Sequence, residues 1–245
     1  MKIEIAANSL QSALIADQAG AHRIELCSNL EIGGTTPSPG QILCTKAEVK
    51  IPINVLIRPR GGDFIYSPSE MKEISSTIQF CKEVGVHGIV IGFVTKDGCI
   101  DIDKTKEIIT LAGNMDITFH RAFDQCLDQE KALTDLIELG IPRVLTSGGK
   151  NSVSEGVKQL QSLVKLAGDD IIVMPGGGIN ENNILDVYEY TQAKEFHLSG
   201  KIDVKSTMEY RNKSLTLVNL EDIHDYNYLQ TNGEKIERLI KRISL

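Results

Sequence analysis

Short apolar runs alternate along this chain with longer stretches whose apolar residues recur at helical spacing. The short runs, rich in Val and Ile, cover residues 3–7, 23–27, 53–57, 88–92, 116–119, 143–146, 171–174 and 195–198. Runs of that length and composition predict buried strands of a parallel sheet. Helical spacing predicts helices over 9–19, 40–49, 69–84, 103–111, 129–139, 153–167, 181–190 and 233–243. In the third of these, Met71, Ile74, Ile78 and Cys81 fall on one face, and Ser67 or Ser69 with Pro68 suits the first turn. Eight strands, each eventually followed by a helix, predict one (β/α)8 TIM barrel domain over residues 1–245, with a long excursion after the eighth strand at about 199–232. An open doubly wound sheet has the same alternation. No GxGxxG follows the first strand, however, so there is no signal for a nucleotide cofactor.

The third run does not end as core packing alone would require. In 54–64, NVLIRPRGGDF, the apolar segment gives way to Arg58, Arg60, Gly61, Gly62 and Asp63. Ligands of α/β sheets and barrels sit at the carboxyl ends of strands, so charge gathered there predicts a binding site. Composition narrows the choice of ligand. A net charge of -7 argues against nucleic acid, whose phosphates need a basic surface. No segment is apolar enough to span a bilayer, and the first residues lack a signal-peptide core, which predicts a cytoplasmic protein. The five cysteines, Cys27, Cys44, Cys81, Cys99 and Cys126, form no CxxC pair and signal neither a disulfide framework nor structural zinc.

Candidate chemistry lies at the strand ends. Alternation puts Glu25 and Cys27 on one side of the second strand. There Glu25 is a candidate general base or metal ligand, or else a carboxylate neutralised by an arginine. Arg58 and Arg60 share a side of the third strand and can meet one carboxylate or phosphate with their planar forks, or build an internal Arg–Glu network. His120 can shuttle protons or bind a metal, and Asp124 can orient it or hold Arg121. Gly148, Gly149, Gly176, Gly177 and Gly178 fall in the late loops, where backbone amides cradle phosphates in barrels, and Asn180 suits the cap of the next helix. His197, with His120, Glu25 and Cys27, is a candidate metal site. Arg211, in the excursion, is placed to close over the mouth. No lysine lies inside strands two to eight, and Lys201 is the nearest, which disfavours a Schiff-base mechanism.

Several motifs in order carry a family resemblance: RIELCSNLEIGGTTPS at 23–38, IRPRGGDF at 57–64, TFHRAFD at 118–124, RVLTSGG at 143–149, VMPGGGI at 173–179, EFHLSG at 195–200 and MEYRN at 208–212. The chain resembles the copper homeostasis protein CutC family. That resemblance implies a cytoplasmic (β/α)8 barrel that assembles as a dimer or larger homo-oligomer and handles copper. Cys27, His120, His197 and Cys126 are the copper ligands it suggests. Two alternatives stand beside it. One is a barrel enzyme, of isomerase or lyase type and with or without a metal, acting on a small anionic or phosphorylated substrate. Glu25, His120 and Asp124 are then catalytic, and Arg58, Arg60, Arg121, Gly148, Gly176, Gly177 and Arg211 hold the anion. The other is a non-catalytic metal chaperone or sensor. The two ligands pull apart, since Cu(I) prefers thiolates whereas an arginine-rich mouth favours an anion.

Overall fold

Parallel strands need long crossovers, and the sequence supplies a helical segment for them. The computed structural model describes residues 1–220 and 223–243. It begins with β1 (Lys2–Ala7), α1 (Leu10–Gln18), β2 (Arg23–Leu26), α2 (Pro39–Glu48), β3 (Ile53–Leu56) and α3 (Pro68–Val84). It continues with β4 (Gly88–Ile91), α4 (Ile102–Ala112), β5 (Asp116–Phe119), α5 (Gln129–Glu138), β6 (Arg143–Thr146) and α6 (Val153–Ala167). β7 (Ile172–Pro175), α7 (Ile184–Thr191) and β8 (Glu195–Leu198) complete the alternation. The strands pair in the order β7-β6-β5-β4-β3-β2-β1-β8, each pair parallel. A single parallel bridge between Gly176 and His197 joins β7 to β8. The fold is a (β/α)8 barrel.

Local chemistry sets the helix boundaries. Ser67 and Glu70 form a reciprocal capping box at the start of α3, and Gly85 ends that helix with φ 73°. The expectation for Asn180 needs correcting. The helix starts later, and Asn183 occupies the cap position. The side chains of Asn180 and Asn183 both donate to the Gly178 carbonyl instead, so they fasten the loop after β7.

Of the excursion expected over 199–232, residues 221 and 222 lie outside the described residues. The rest forms β9 (Lys201–Lys205), a short β10 (Asn219–Leu220) and β11 (Ile223–His224) pair, and β12 (Asn227–Thr231) antiparallel to β9, before α8 (Gly233–Ile243). β12 docks on the start of α1: Asn8 donates to the Leu229 carbonyl (2.8 Å) and the Thr231 amide donates to Ser12 (3.1 Å).

The outward side chains of the strands, among them Ile3, Ile5, Ile24, Val55, Ile89 and Ile91, are fully buried under the helices. The barrel interior is different. Barrel interiors are usually filled by branched apolar layers, but here a chain of ion pairs crosses the lower part. Arg23 binds Glu4 and reaches Glu195 (2.7 Å). Arg143 also binds Glu195 (2.8 Å), then Asp116 (2.6 Å) and the Thr118 hydroxyl (3.0 Å). Arg23, Arg143, Glu4 and Glu195 are all buried.

Removing one partner of a buried pair leaves the other charge uncompensated, at about 3–5 kcal/mol. Arg143→Met is therefore expected to lower the unfolding free energy by about that amount in urea denaturation. A loss below about 1 kcal/mol, the range of surface pairs, would show that the network does not support the barrel.

Candidate active site at the barrel mouth

The carboxyl ends of the strands open on a cavity of about 400 Å³. Buried Glu25 and His120 line its inner part with the nearly buried His197, while Arg121, Lys201, Gly177 and Gly178 line the more open part.

The inner charges follow from the barrel below. Glu4 sits opposite both Arg23 and His197 in the register of β1 with its neighbours. One Glu4 oxygen takes the Arg23 guanidinium, and the other accepts from His197 Nδ1 at 2.8 Å. Burial alone would raise the Glu4 carboxyl. The bond to His197 and the charge of Arg23 outweigh burial and hold it down at about 2. Burial likewise lowers His197, but the charges of Glu25 and Glu4 prevail and raise it. Glu25 has no such partner. Its Oε2 is buried without a hydrogen bond, 3.9 Å from His197 Nδ1. Burial pushes its carboxyl up to about 7, with His197 opposing and the Glu4 charge adding to the rise. The expected arginine partner for Glu25 is absent among the described residues. Arg23, the arginine of the same strand, neutralises Glu4 instead.

His120 is set differently. The backbone amide of Ala122 donates to its Nδ1 (3.1 Å), and its Nε2 is buried without a partner. Burial, then the Arg58 charge, depresses it to about 3. A ring in that state has no free basic nitrogen, which corrects the expectation that His120 shuttles protons or ligates a metal as neutral imidazole. A Cβ on Gly92 would collide with this ring, so the bare glycine is what admits it.

Asp124 does not orient His120. It holds Arg121 Nε (2.7 Å) and also accepts from Thr146, the Ser147 amide and hydroxyl, and the Gly149 amide. Its oxygens are saturated, so it organises the β5 and β6 loops instead of serving as a catalytic acid or base. Arg121 is fixed further by Ser147 (2.7 Å) and the Lys150 carbonyl (3.0 Å), and its Nη1 lies beside Gly177 at the cavity. Gly177, with φ 103°, and Gly178, with φ 87°, are the expected glycines that do line the mouth. Gly148 and Gly176 use their amides on Thr146, the first on its hydroxyl and the second on its carbonyl, so neither amide is left for an anion.

The paired arginines of the third strand separate. Arg58 lines the cavity but its guanidinium is anchored on the carbonyls of Ile32, Gly34 and Gly62. Arg60 turns outward to Glu70 and Asp63 and over the Tyr66 ring, and Arg211 stacks on Tyr226 at 4.1 Å. Neither of these two lines the cavity.

The thiols do not fit a Cu(I) site. Cys27 is fully buried against Leu56 and Val90, contacts the Ala7 carbonyl, and burial holds its thiol well above the usual range. Cys126 contacts the Ala122 carbonyl, and burial pushes it up to about 12. Neither lines the cavity. The one group of three metal-capable side chains among the described residues is Glu4, Glu25 and His197, with ligand atoms within 4.8 Å of one another. Two oxygens and a nitrogen are not the soft set Cu(I) selects, and Glu4 is already bound to Arg23 and His197.

Sequence reasoning missed Glu4, Gly92 and Phe64, whose ring lines the cavity and packs on His120 at 4.9 Å between centroids. A lone glutamate within the apolar run KIEIAA was the signal available for the first.

A family model described as the CutC family matches residues 1–202. A family protein CutC from Parabacteroides distasonis is 46% identical over 239 residues, covering 97% of this chain and 98% of that one. A copper homeostasis protein cutC homolog from Homo sapiens is 40% identical over 237 residues, covering 97% of this chain and 87% of that one. The crystal structure of a CutC protein from Streptococcus agalactiae superposes with a TM-score of 0.77 at 33% identity, covering 80% of this chain and 97% of that one.

The state of Glu25 has a consequence for stability. An ordinary glutamate loses its proton near 4.5, whereas folded Glu25 keeps it to about 7. Between those values the folded state binds the extra proton, so the contribution of Glu25 to stability falls as pH rises and levels off above about 7. Glu25→Gln is expected to match wild type in urea midpoint at about pH 5 and to exceed it at about pH 8. Equal midpoints at the higher pH would show that the carboxyl is not raised.

Proposed function

The chain belongs to the CutC family, and from that premise we propose that its barrel mouth binds a small anionic molecule and moves a proton on it, in the manner of an isomerase or lyase. The observation that carries this reading is Glu25: a buried carboxyl at the cavity, with one oxygen unbonded and a proton affinity near neutrality. Groups displaced in this way are typical of acid–base sites. His197 is its partner. The bond from Nδ1 to Glu4 leaves Nε2 as the atom that exchanges a proton, so His197 takes the part first considered for His120.

The anionic end of the ligand would rest against Arg121 Nη1, Lys201 and the Gly177–Gly178 backbone, which together form the cationic side of the cavity. Arg121 is preorganised by Asp124 and Ser147, so little side-chain freedom is lost when an anion arrives.

Direct binding of Cu(I), and with it a metal chaperone or sensor, ranks second because Cys27 and Cys126 are buried and do not line the cavity. The link to copper homeostasis would then run through the bound small molecule. The same proposal takes the protein as one barrel domain over residues 1–245, cytoplasmic and homo-oligomeric, as its family resemblance implies. No helix among the described residues is long and apolar enough to cross a membrane.

A thermal-shift screen of small phosphates and carboxylates tests the proposal. At least one is expected to raise Tm in wild type and to lose its effect in Arg121→Ala. That ligand should exchange a carbon-bound hydrogen with D2O in wild type and not in Glu25→Gln. No stabilising anion, or exchange that survives Glu25→Gln, would refute it. Titration with Cu(I) under reducing conditions is expected to give the same weak response in wild type and Cys27→Ala. Tight binding lost in Cys27→Ala would establish the copper reading instead.

A further inference from the structure

We propose that His120 acts as an uncharged hydrogen-bond donor to a substrate oxygen, which makes the substrates of this mouth anionic carbonyl compounds. This rests on the reading of the mouth as an anion-binding, proton-transfer site and names the substrate class for it.

A backbone amide can only donate. Because the Ala122 amide points at His120 Nδ1, that nitrogen must carry a lone pair, and the proton of the neutral ring lies on Nε2. Nε2 is buried and has no acceptor within the protein, although His120 lines the cavity. A buried donor left without a partner is destabilising, so one beside a cavity calls for a partner that the cavity's occupant can supply. The ring is held in place by Phe64 at 4.9 Å between centroids and by Phe119 at 6.2 Å, over the space that Gly92 leaves. Turning it over would put a carbon against the Ala122 amide.

The ionisable groups sharing the cavity with His120 are Arg58, Glu25, His197, Arg121 and Lys201. Burial, and after it the positive charge of Arg58, opposes a second proton on the ring. A cation would suit an oxygen that already bears full charge, and Arg121 and Lys201 supply that elsewhere. A neutral N–H suits an oxygen that becomes charged only during the reaction, as a carbonyl does when the adjacent carbon loses a proton. In that step the C–H bond beside the carbonyl breaks and the proton passes to ionised Glu25 Oε2. The C–H electron pair becomes the carbon–carbon double bond, and the carbonyl π pair moves onto oxygen, giving an enolate held by His120 Nε2–H. Return of the proton to carbon restores the carbonyl.

Two measurements test this. Long-range ¹H–¹⁵N correlation on the free protein should show His120 protonated at Nε2 alone from about pH 5.5 to 8.5. Binding is then compared within pairs that differ only by the carbonyl: pyruvate and propanoate, oxaloacetate and succinate, dihydroxyacetone phosphate and propane-1,3-diol monophosphate. In at least one pair the carbonyl member should bind about tenfold more tightly to wild type, an advantage lost in His120→Ala and retained in His120→Gln, whose amide restores a donor. A proton on Nδ1, titration of the ring in that range, or a preference that survives His120→Ala overturns the proposal. Binding both members of every pair alike also overturns it while keeping the anion reading; binding neither member of any pair sinks both.

Discussion

Charge placed inside a barrel must be neutralised inside the barrel, because water cannot reach it. Glu4, Arg23, Glu195, Arg143 and Asp116 meet that constraint by forming one chain of ion pairs across β1, β2, β8, β6 and β5. The mouth inherits its chemistry from this arrangement. Against burial, the bond from His197 and the charge of Arg23 keep Glu4 ionised, and ionised Glu4 in turn holds His197 by Nδ1. Arg23 and Arg143 are committed to Glu4, Glu195 and Asp116, and Glu25, one layer higher, makes no ion pair with either. Burial, without a direct arginine contact to offset it, keeps its carboxyl protonated until near neutrality.

The two histidines of the mouth are fixed in opposite senses by what touches their Nδ1 atoms. A carboxylate at His197 makes Nδ1 a donor and leaves Nε2 basic. A backbone amide at His120 makes Nδ1 an acceptor and leaves Nε2 as the donor. Equivalent side chains are thereby given different capacities by a single contact each. Around them the cations are divided in a similar way. Arg58 is tied to three carbonyls and shapes the loops, whereas Arg121, braced by Asp124, keeps an edge toward the cavity.

The architecture was legible in the sequence because hydrophobic periodicity and strand-end punctuation are local signals; the helix over 153–167 and the final helix over 233–243 fall where the spacing puts them. The location of the site was legible for the same reason, and Glu25, His120, Arg121, Gly177 and His197 do meet at one cavity. What each residue does there was not legible. Whether Arg60 reaches an anion or Glu70, or whether His120 accepts or donates, depends on contacts from a different loop or a neighbouring amide. The charged barrel interior was half legible. Arg23, Arg143, Glu195 and Glu4 stand inside otherwise apolar strands, but their pairing follows only from strand order and register.

The account turns on an unequal pair, Glu4 ionised by its partners and Glu25 left protonated by the lack of one. Carbon-detected NMR of the side-chain carboxyls across a pH titration measures both directly. Glu25 is predicted to titrate at about 7 and Glu4 at about 2. A Glu25 carboxyl that titrates near the ordinary 4.5, or a Glu4 raised in its place, would contradict the account.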